Sequence, residues 1–127
     1  MLIKWSRGNS ASHVAQHFKL SEFECKCLKC EEQMIDTDLL DRLDALRELV
    51  GAAILIHSGY RCAEHNKAVG GEKKSKHLLG LAADISSDAC TMEELAKLCE
   101  VEFSRIGVAK TFCHVDVYPG NTKWVYK

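Results

Sequence analysis

The chain has 127 residues, 46% hydrophobic and 28% charged, enough to bury one modest core and too few for a second domain. Its 17 basic and 18 acidic residues give a formal net charge of -1, without the basic excess that drives binding to nucleic acid or anionic membranes. No apolar run approaches the roughly 18 residues that a membrane helix needs, so one monomeric domain over residues 1–127, with no membrane insertion, is expected.

The opening Met1-Leu2-Ile3-Lys4-Trp5-Ser6-Arg7 lacks the long apolar segment and small-residue cleavage site of a secretion signal, which predicts synthesis in the cytoplasm. Residues 1–35 mix Gly, Ser and charges without a clear period and read as an irregular segment packed on the rest. From Asp36 the pattern sharpens: Leu39, Leu43, Leu46 and Val50 recur at helical spacing behind an Asp or Thr cap, and Gly51 stops the run. Ala53-Ile54-Leu55-Ile56 predicts a strand ended by a Ser58-Gly59-Tyr60 turn. Ala63 to Val69 predicts a short helix closed by Gly70-Gly71, and Leu81 to Ile85 a second strand. Thr91 and Glu94 match a capping box for a helix running to about Phe103. Phe112 to Tyr118 alternates as a strand, Pro119-Gly120-Asn121 is a turn, and Trp124-Val125-Tyr126 is expected to pair back as a hairpin. The expected class is α+β, a small, mostly antiparallel sheet with flanking helices.

Seven cysteines are an odd number for a disulfide framework, and without a secretion signal they are expected to be reduced when the chain folds. Cys62, Cys90, Cys99 and Cys113 sit among apolar neighbours and read as small buried residues. Cys25, Cys27 and Cys30 are different: three thiolates so close in sequence can hold a structural metal if a fourth ligand comes from elsewhere. Free thiols, or a disulfide formed in an oxidising compartment, are the alternatives.

Period-two alternation puts His114 and Asp116 on one face of their strand, with Val115 and Val117 on the other. His77 and Asp84 lie in a stretch of small and apolar residues, where an unpaired charge would be costly and a divalent cation would offset that cost. Two His and one carboxylate make a catalytic zinc set, whereas structural zinc usually closes with four protein ligands. Spacing alone also allows two unrelated histidines, each satisfied by its own neighbours.

Ser58-Gly59-Tyr60-Arg61, Asn66, Gly70-Gly71, Ser75, His77, Gly80, Ala83-Asp84 and His114-Val115-Asp116-Val117 together resemble the M15 peptidases, zinc D-Ala-D-Ala carboxypeptidases and their phage relatives. The similarity is greatest to the short M15A-type domains of phages and prophages, and extends upstream through His17-Phe18, Ser21-Glu22-Phe23, Cys25, Leu43 and Arg47. It implies a Hedgehog/DD-peptidase type α+β fold, zinc ligands at His77, Asp84 and His114, and murein stem peptides as substrate. It also implies action on the cell wall, after release or as part of a virion.

Several M15 relatives carry an acidic general base three residues before the last histidine ligand, and here that position is Thr111. Asp116 is the nearest carboxylate on the same strand face and is assigned as base, the alternative being a carboxylate that orients a histidine ligand. His57 and His65 are weaker candidates for the role. Arg61 is assigned to a substrate carboxylate or the oxyanion of a tetrahedral intermediate, and Ser75 to substrate or to the ligand loop. Two non-catalytic readings compete: a zinc-containing wall-binding or virion module, which Thr111 favours, and a structural metal domain centred on the cysteines.

Overall fold

Leu39, Leu43 and Leu46 fall on one side of α1 (Thr37–Val50) and are fully buried there, as their spacing predicts. The computed structural model describes residues 1–9 and 15–126. The helix begins where Asp36 accepts a hydrogen bond from the Asp38 amide (2.8 Å) and ends at Gly51, whose φ of 72° turns its amide back to the Arg47 carbonyl. α2 (Ala63–Ala68) is the short second helix. α3 (Met92–Glu102) carries the expected box: Thr91 Oγ1 accepts from the Glu94 amide at 3.1 Å, and the Glu94 carboxylate from the Thr91 amide at 2.9 Å.

The strands are β1 (Leu2–Ser6), β2 (Glu32–Asp36), β3 (Leu55–Ser58), β4 (Ala82–Ser86), β5 (Arg105–Val108), β6 (Cys113–Asp116) and β7 (Thr122–Val125). A five-stranded sheet runs in the order β3-β4-β6-β5-β7, antiparallel except for the β5–β7 pair. One face, with Ala83, Ile85, Ile106, Cys113 and Val115, joins Leu39, Leu43, Leu46 and Leu95 in a single core. The α+β class is as expected. Among the described residues no helix is long and apolar enough to cross a membrane.

Two expectations are corrected, and one strand is new. Residues 1–35 are not irregular throughout: β1 and β2 pair as an antiparallel ribbon, Leu2 opposite Asp36, and Leu20–Phe23 form a 3-10 turn that buries Leu20 and Phe23. The part of that segment covering residues 10–14 lies outside the described residues. β5 was not anticipated, because four residues interrupted by Gly107 give no readable alternation. The tail does not close a hairpin on β6, since both edges of β6 are already filled by β4 and β5. β7 instead crosses to the open side of β5 and runs parallel to it. Leu43→Ala, deleting a fully buried side chain at the centre of the core, is expected to lower the unfolding free energy by about 2–5 kcal/mol in urea titration. A loss near zero would show that α1 does not anchor the core there.

Candidate metal centre and its cavity

The face of the sheet opposite the core is polar because of register. Ser58 lies opposite Asp84, Asp84 opposite His114, His114 opposite Gly107, and Gly107 opposite Trp124, so one cross-strand row spans all five strands. Gly107 is required in this row: a Cβ there would sit 2.5 Å from the Trp124 indole, whose ring lies 5.3 Å from that of His114. His77 joins from a 3-10 turn, Lys76–Leu79, capped by Ser75 Oγ, which accepts the His77 amide at 3.2 Å.

Asp84 Oδ1 faces His77 Nε2 at 3.2 Å and His114 Nδ1 at 3.0 Å, and the three residues are at most 7% exposed. The far nitrogen of each ring reveals its proton. His77 Nδ1 is 2.7 Å from the Gly59 carbonyl oxygen, which can only accept, so Nδ1 carries the hydrogen. His114 Nε2 is 2.8 Å from Asp116 Oδ2, an oxygen of a carboxylate that also pairs with Arg105, so Nε2 carries the hydrogen there. Two neutral imidazoles so oriented aim bare lone pairs at a carboxylate oxygen. Only added positive charge, as protons or a cation, makes this arrangement favourable.

A divalent cation fits the donor set. Nitrogen and oxygen ligands about 2.0–2.2 Å from a tetrahedral zinc stand roughly 3.4 Å apart, close to the two distances seen. Each imidazole already donates its other N–H to a carbonyl or carboxylate, the usual support of a metal-bound histidine. Burial raises the Asp84 pKa, but His114 and His77, when they carry that charge as protons, outweigh it and hold the carboxyl well below the ordinary range. Burial lowers that of His114, and the Asp116 and Asp84 carboxylates more than reverse it.

Arg61 is clamped by three neighbours: Nη2 to Asp84 Oδ2 (3.2 Å), Nε to Ser58 Oγ (3.1 Å) and Nη1 to Asn66 Oδ1 (3.2 Å). Gly71 leaves space for that clamp, since its Cβ would lie 2.1 Å from Asn66 Oδ1. Asp116 sits behind His114. Its side chain has no exposure, Oδ2 takes the His114 hydrogen, and Oδ1 accepts from Arg105 Nε (2.7 Å) and the Tyr118 amide (3.1 Å). Both of its oxygens are thus engaged, and His114 stands between them and the other two residues of the cluster. His57 is exposed and bonded to Ser86 Oγ, and neither it nor His65 lines the cavity.

That cavity, about 820 Å³, is lined by Arg61, Ser75, His77, Asp84, His114 and Asp116, and by residues that sequence reading missed: Glu72, Lys74, Lys76, Trp124 and Tyr126. The two aromatics come from the tail, whose crossing to β5 had no local signal. Cys25, Cys27 and Cys30 do cluster, and Cys62, expected to be an ordinary buried residue, is half-exposed and joins them.

Two imidazoles and a carboxylate opening onto a cavity are a donor set that could hold one metal ion. The family model for Peptidase M15 matches residues 16–116, from ahead of β2 through the end of β6, and the chain belongs to that family. M15 peptidases are zinc-dependent. No curated protein matches the chain. β7, with Trp124, lies outside the matched stretch.

Arg105→Met should strand the Asp116 carboxylate without its cationic partner and cost on the order of 3 kcal/mol of stability. Arg42→Met, at an exposed i,i+4 pair with Asp38, should cost under about 1 kcal/mol. Equal losses from the two changes in parallel denaturant titrations would mean that the Asp116 pair is not a buried support of the site.

Proposed function

We propose that this chain is a zinc peptidase that hydrolyses peptide bonds in bacterial peptidoglycan stem peptides, with His77, Asp84 and His114 as metal ligands. The observation that carries the reading is the convergence of two imidazole lone pairs on the buried Asp84 oxygen. Zinc in such a site supplies a Lewis acid and a water of lowered pKa. The cationic wall formed by Arg61, Lys74 and Lys76 supports a substrate with carboxylates, as stem peptides have.

The chain's own groups divide the remaining work. Arg61, fixed on Asp84 Oδ2, binds a substrate carboxylate or the oxyanion that develops on the scissile carbonyl. Ser75 holds the His77 backbone and lines the cavity beside it. Asp116 keeps the hydrogen on His114 Nε2, which leaves Nδ1 free to ligate. Glu72, a solvent-exposed carboxylate on the cavity wall, takes the proton of the attacking water and returns it to the leaving amine. The protein acts on the wall after release from the cytoplasm or as part of a virion. A non-catalytic wall-binding module is the second reading, favoured by the non-acidic, exposed Thr111 three residues before His114.

Incubation with purified peptidoglycan, with and without chelator, followed by mass analysis of the fragments, tests the function. Chelator-sensitive release of peptide fragments is expected, and the fragment masses identify the scissile bond. Binding without any release would favour the second reading. His77→Ala should lose one zinc equivalent relative to wild type and nearly all activity, with Asp84→Asn milder because the amide keeps an oxygen. Unchanged metal content in His77→Ala would remove the ligand assignment.

Glu72 and Asp116 separate in kinetics. Glu72→Gln should keep its zinc while kcat falls roughly 10²–10⁴-fold and the acid limb of the pH–rate profile moves or disappears. Asp116→Asn should instead weaken zinc affinity about 10–100-fold, with activity restored by excess metal. If Asp116→Asn keeps its metal and loses kcat while Glu72→Gln stays active, the two roles are reversed.

A further inference from the structure

Outside the peptidase cavity, the sulfurs of Cys25, Cys27, Cys30 and Cys62 lie within 4.8 Å of one another. Cys62 Sγ is 3.8 Å from Cys25 Sγ and 3.9 Å from Cys27 Sγ. A disulfide needs about 2.05 Å between sulfurs, whereas two thiolates on one tetrahedral zinc, each about 2.3 Å from the ion, stand roughly 3.8 Å apart. These two spacings match those of thiolates sharing a metal.

Every one of the four sulfurs accepts an N–H. Cys27 Sγ takes the amides of Lys29 (3.4 Å) and Cys30 (3.3 Å), Cys25 Sγ that of Cys62 (3.4 Å), and Cys62 Sγ that of His65 (3.4 Å). Cys30 Sγ accepts from Gln33 Nε2 (3.3 Å) and Arg7 Nη2 (3.4 Å). Such bonds stabilise thiolates, and Arg7 adds a positive charge beside a group that would otherwise be strongly negative. The side chain of Gln33, a residue with no exposure, also accepts the Cys25 amide (2.7 Å) and donates to the Cys30 carbonyl (3.0 Å), which fixes both ends of the loop.

Leu28, between Cys27 and Cys30, has a φ of 63° and is the sole non-glycine with positive φ among the described residues. Its side chain is 75% exposed, so packing of that side chain does not impose the conformation. The turn aims the Lys29 and Cys30 amides at Cys27 Sγ.

We propose that Cys25, Cys27, Cys30 and Cys62 form a second, structural zinc site, closed by four thiolates and separate from the ion of the peptidase centre. Zinc binds there with release of the remaining thiol protons to solvent. The site joins three parts of the chain: the end of β1 through Arg7, the loop before β2, and the N-terminus of α2, which Cys62 caps. Cys62 directly follows Arg61, so the same ion holds the backbone from which that guanidinium reaches Asp84.

The test is zinc content and zinc X-ray absorption on the intact chain purified under reducing conditions. Wild type should carry two zinc ions per chain, with a sulfur shell at ~2.3 Å beside a nitrogen and oxygen shell. His77→Ala should keep one zinc with sulfur neighbours only, and Cys27→Ser/Cys62→Ser should keep one with no sulfur neighbours. Failure of the peptidase reading alone would leave wild type with a single, all-sulfur zinc. If the serine variant does not fold, cobalt-loaded wild type decides: an intense thiolate-to-cobalt charge-transfer band is expected. Absence of that band, or a His77→Ala protein without zinc whose four cysteines are free or joined as disulfides, overturns the proposal.

Discussion

A buried carboxylate oxygen facing the unprotonated nitrogens of two histidines is the constraint around which this molecule is arranged. Asp84 Oδ1 holds that position, and the rings cannot relieve the repulsion by turning over, because Gly59 and Asp116 hold their other nitrogens. Positive charge must enter. The β4–β6 register places Asp84 opposite His114 while Ala83, Ile85, Cys113 and Val115 face the core. A one-residue slip of either strand would bury the polar set and expose the apolar one, so the hydrophobic core enforces the alignment of the site.

The N-terminal segment supports that site. The Tyr60 amide donates to the Phe23 carbonyl, and Gly59 packs so closely that a Cβ would come within 2.7–2.8 Å of Phe23 atoms. Phe23, fully buried, thereby positions the Gly59 carbonyl that orients His77. Two residues later the same loop presents Arg61, and three later Cys62. One short connection thus serves the histidine tautomer, the guanidinium and the thiol cluster, and it can do so only because residues 20–30 pack against it.

What was legible in the sequence was local. α1 and α3 announce themselves by leucine spacing and by caps, which act within one turn of helix, β4 by a short apolar run and β6 by alternation. β1, β2 and β7 are held by pairings that no local window contains: Leu2 finds Asp36, and Thr122 finds Arg105. Resemblance, more than spacing, pointed to His77, Asp84 and His114. Strand alternation correctly put Asp116 on the face of His114, yet it carries no information about which side chain stands in front. Cys62 was unreadable for a similar reason, as a lone cysteine distant in sequence from the three it meets. Glu72 and Trp124 became visible only when the cavity was.

Arg61 and Cys62 are neighbours in sequence that face two different clusters, and this adjacency ties the stability of the chain to its chemistry. The Arg61 side chain is fixed at Ser58, Asn66 and Asp84, while Cys62 caps the helix that carries Asn66. α2 has six residues, too few to persist on helical propensity alone, so what holds its first turn also determines where Asn66 stands. Loss of the thiolate site would therefore leave the core of α1, α3 and the sheet intact while releasing the guanidinium. Misplacement by about 1 Å of a group that positions substrate costs on the order of 10²-fold in rate.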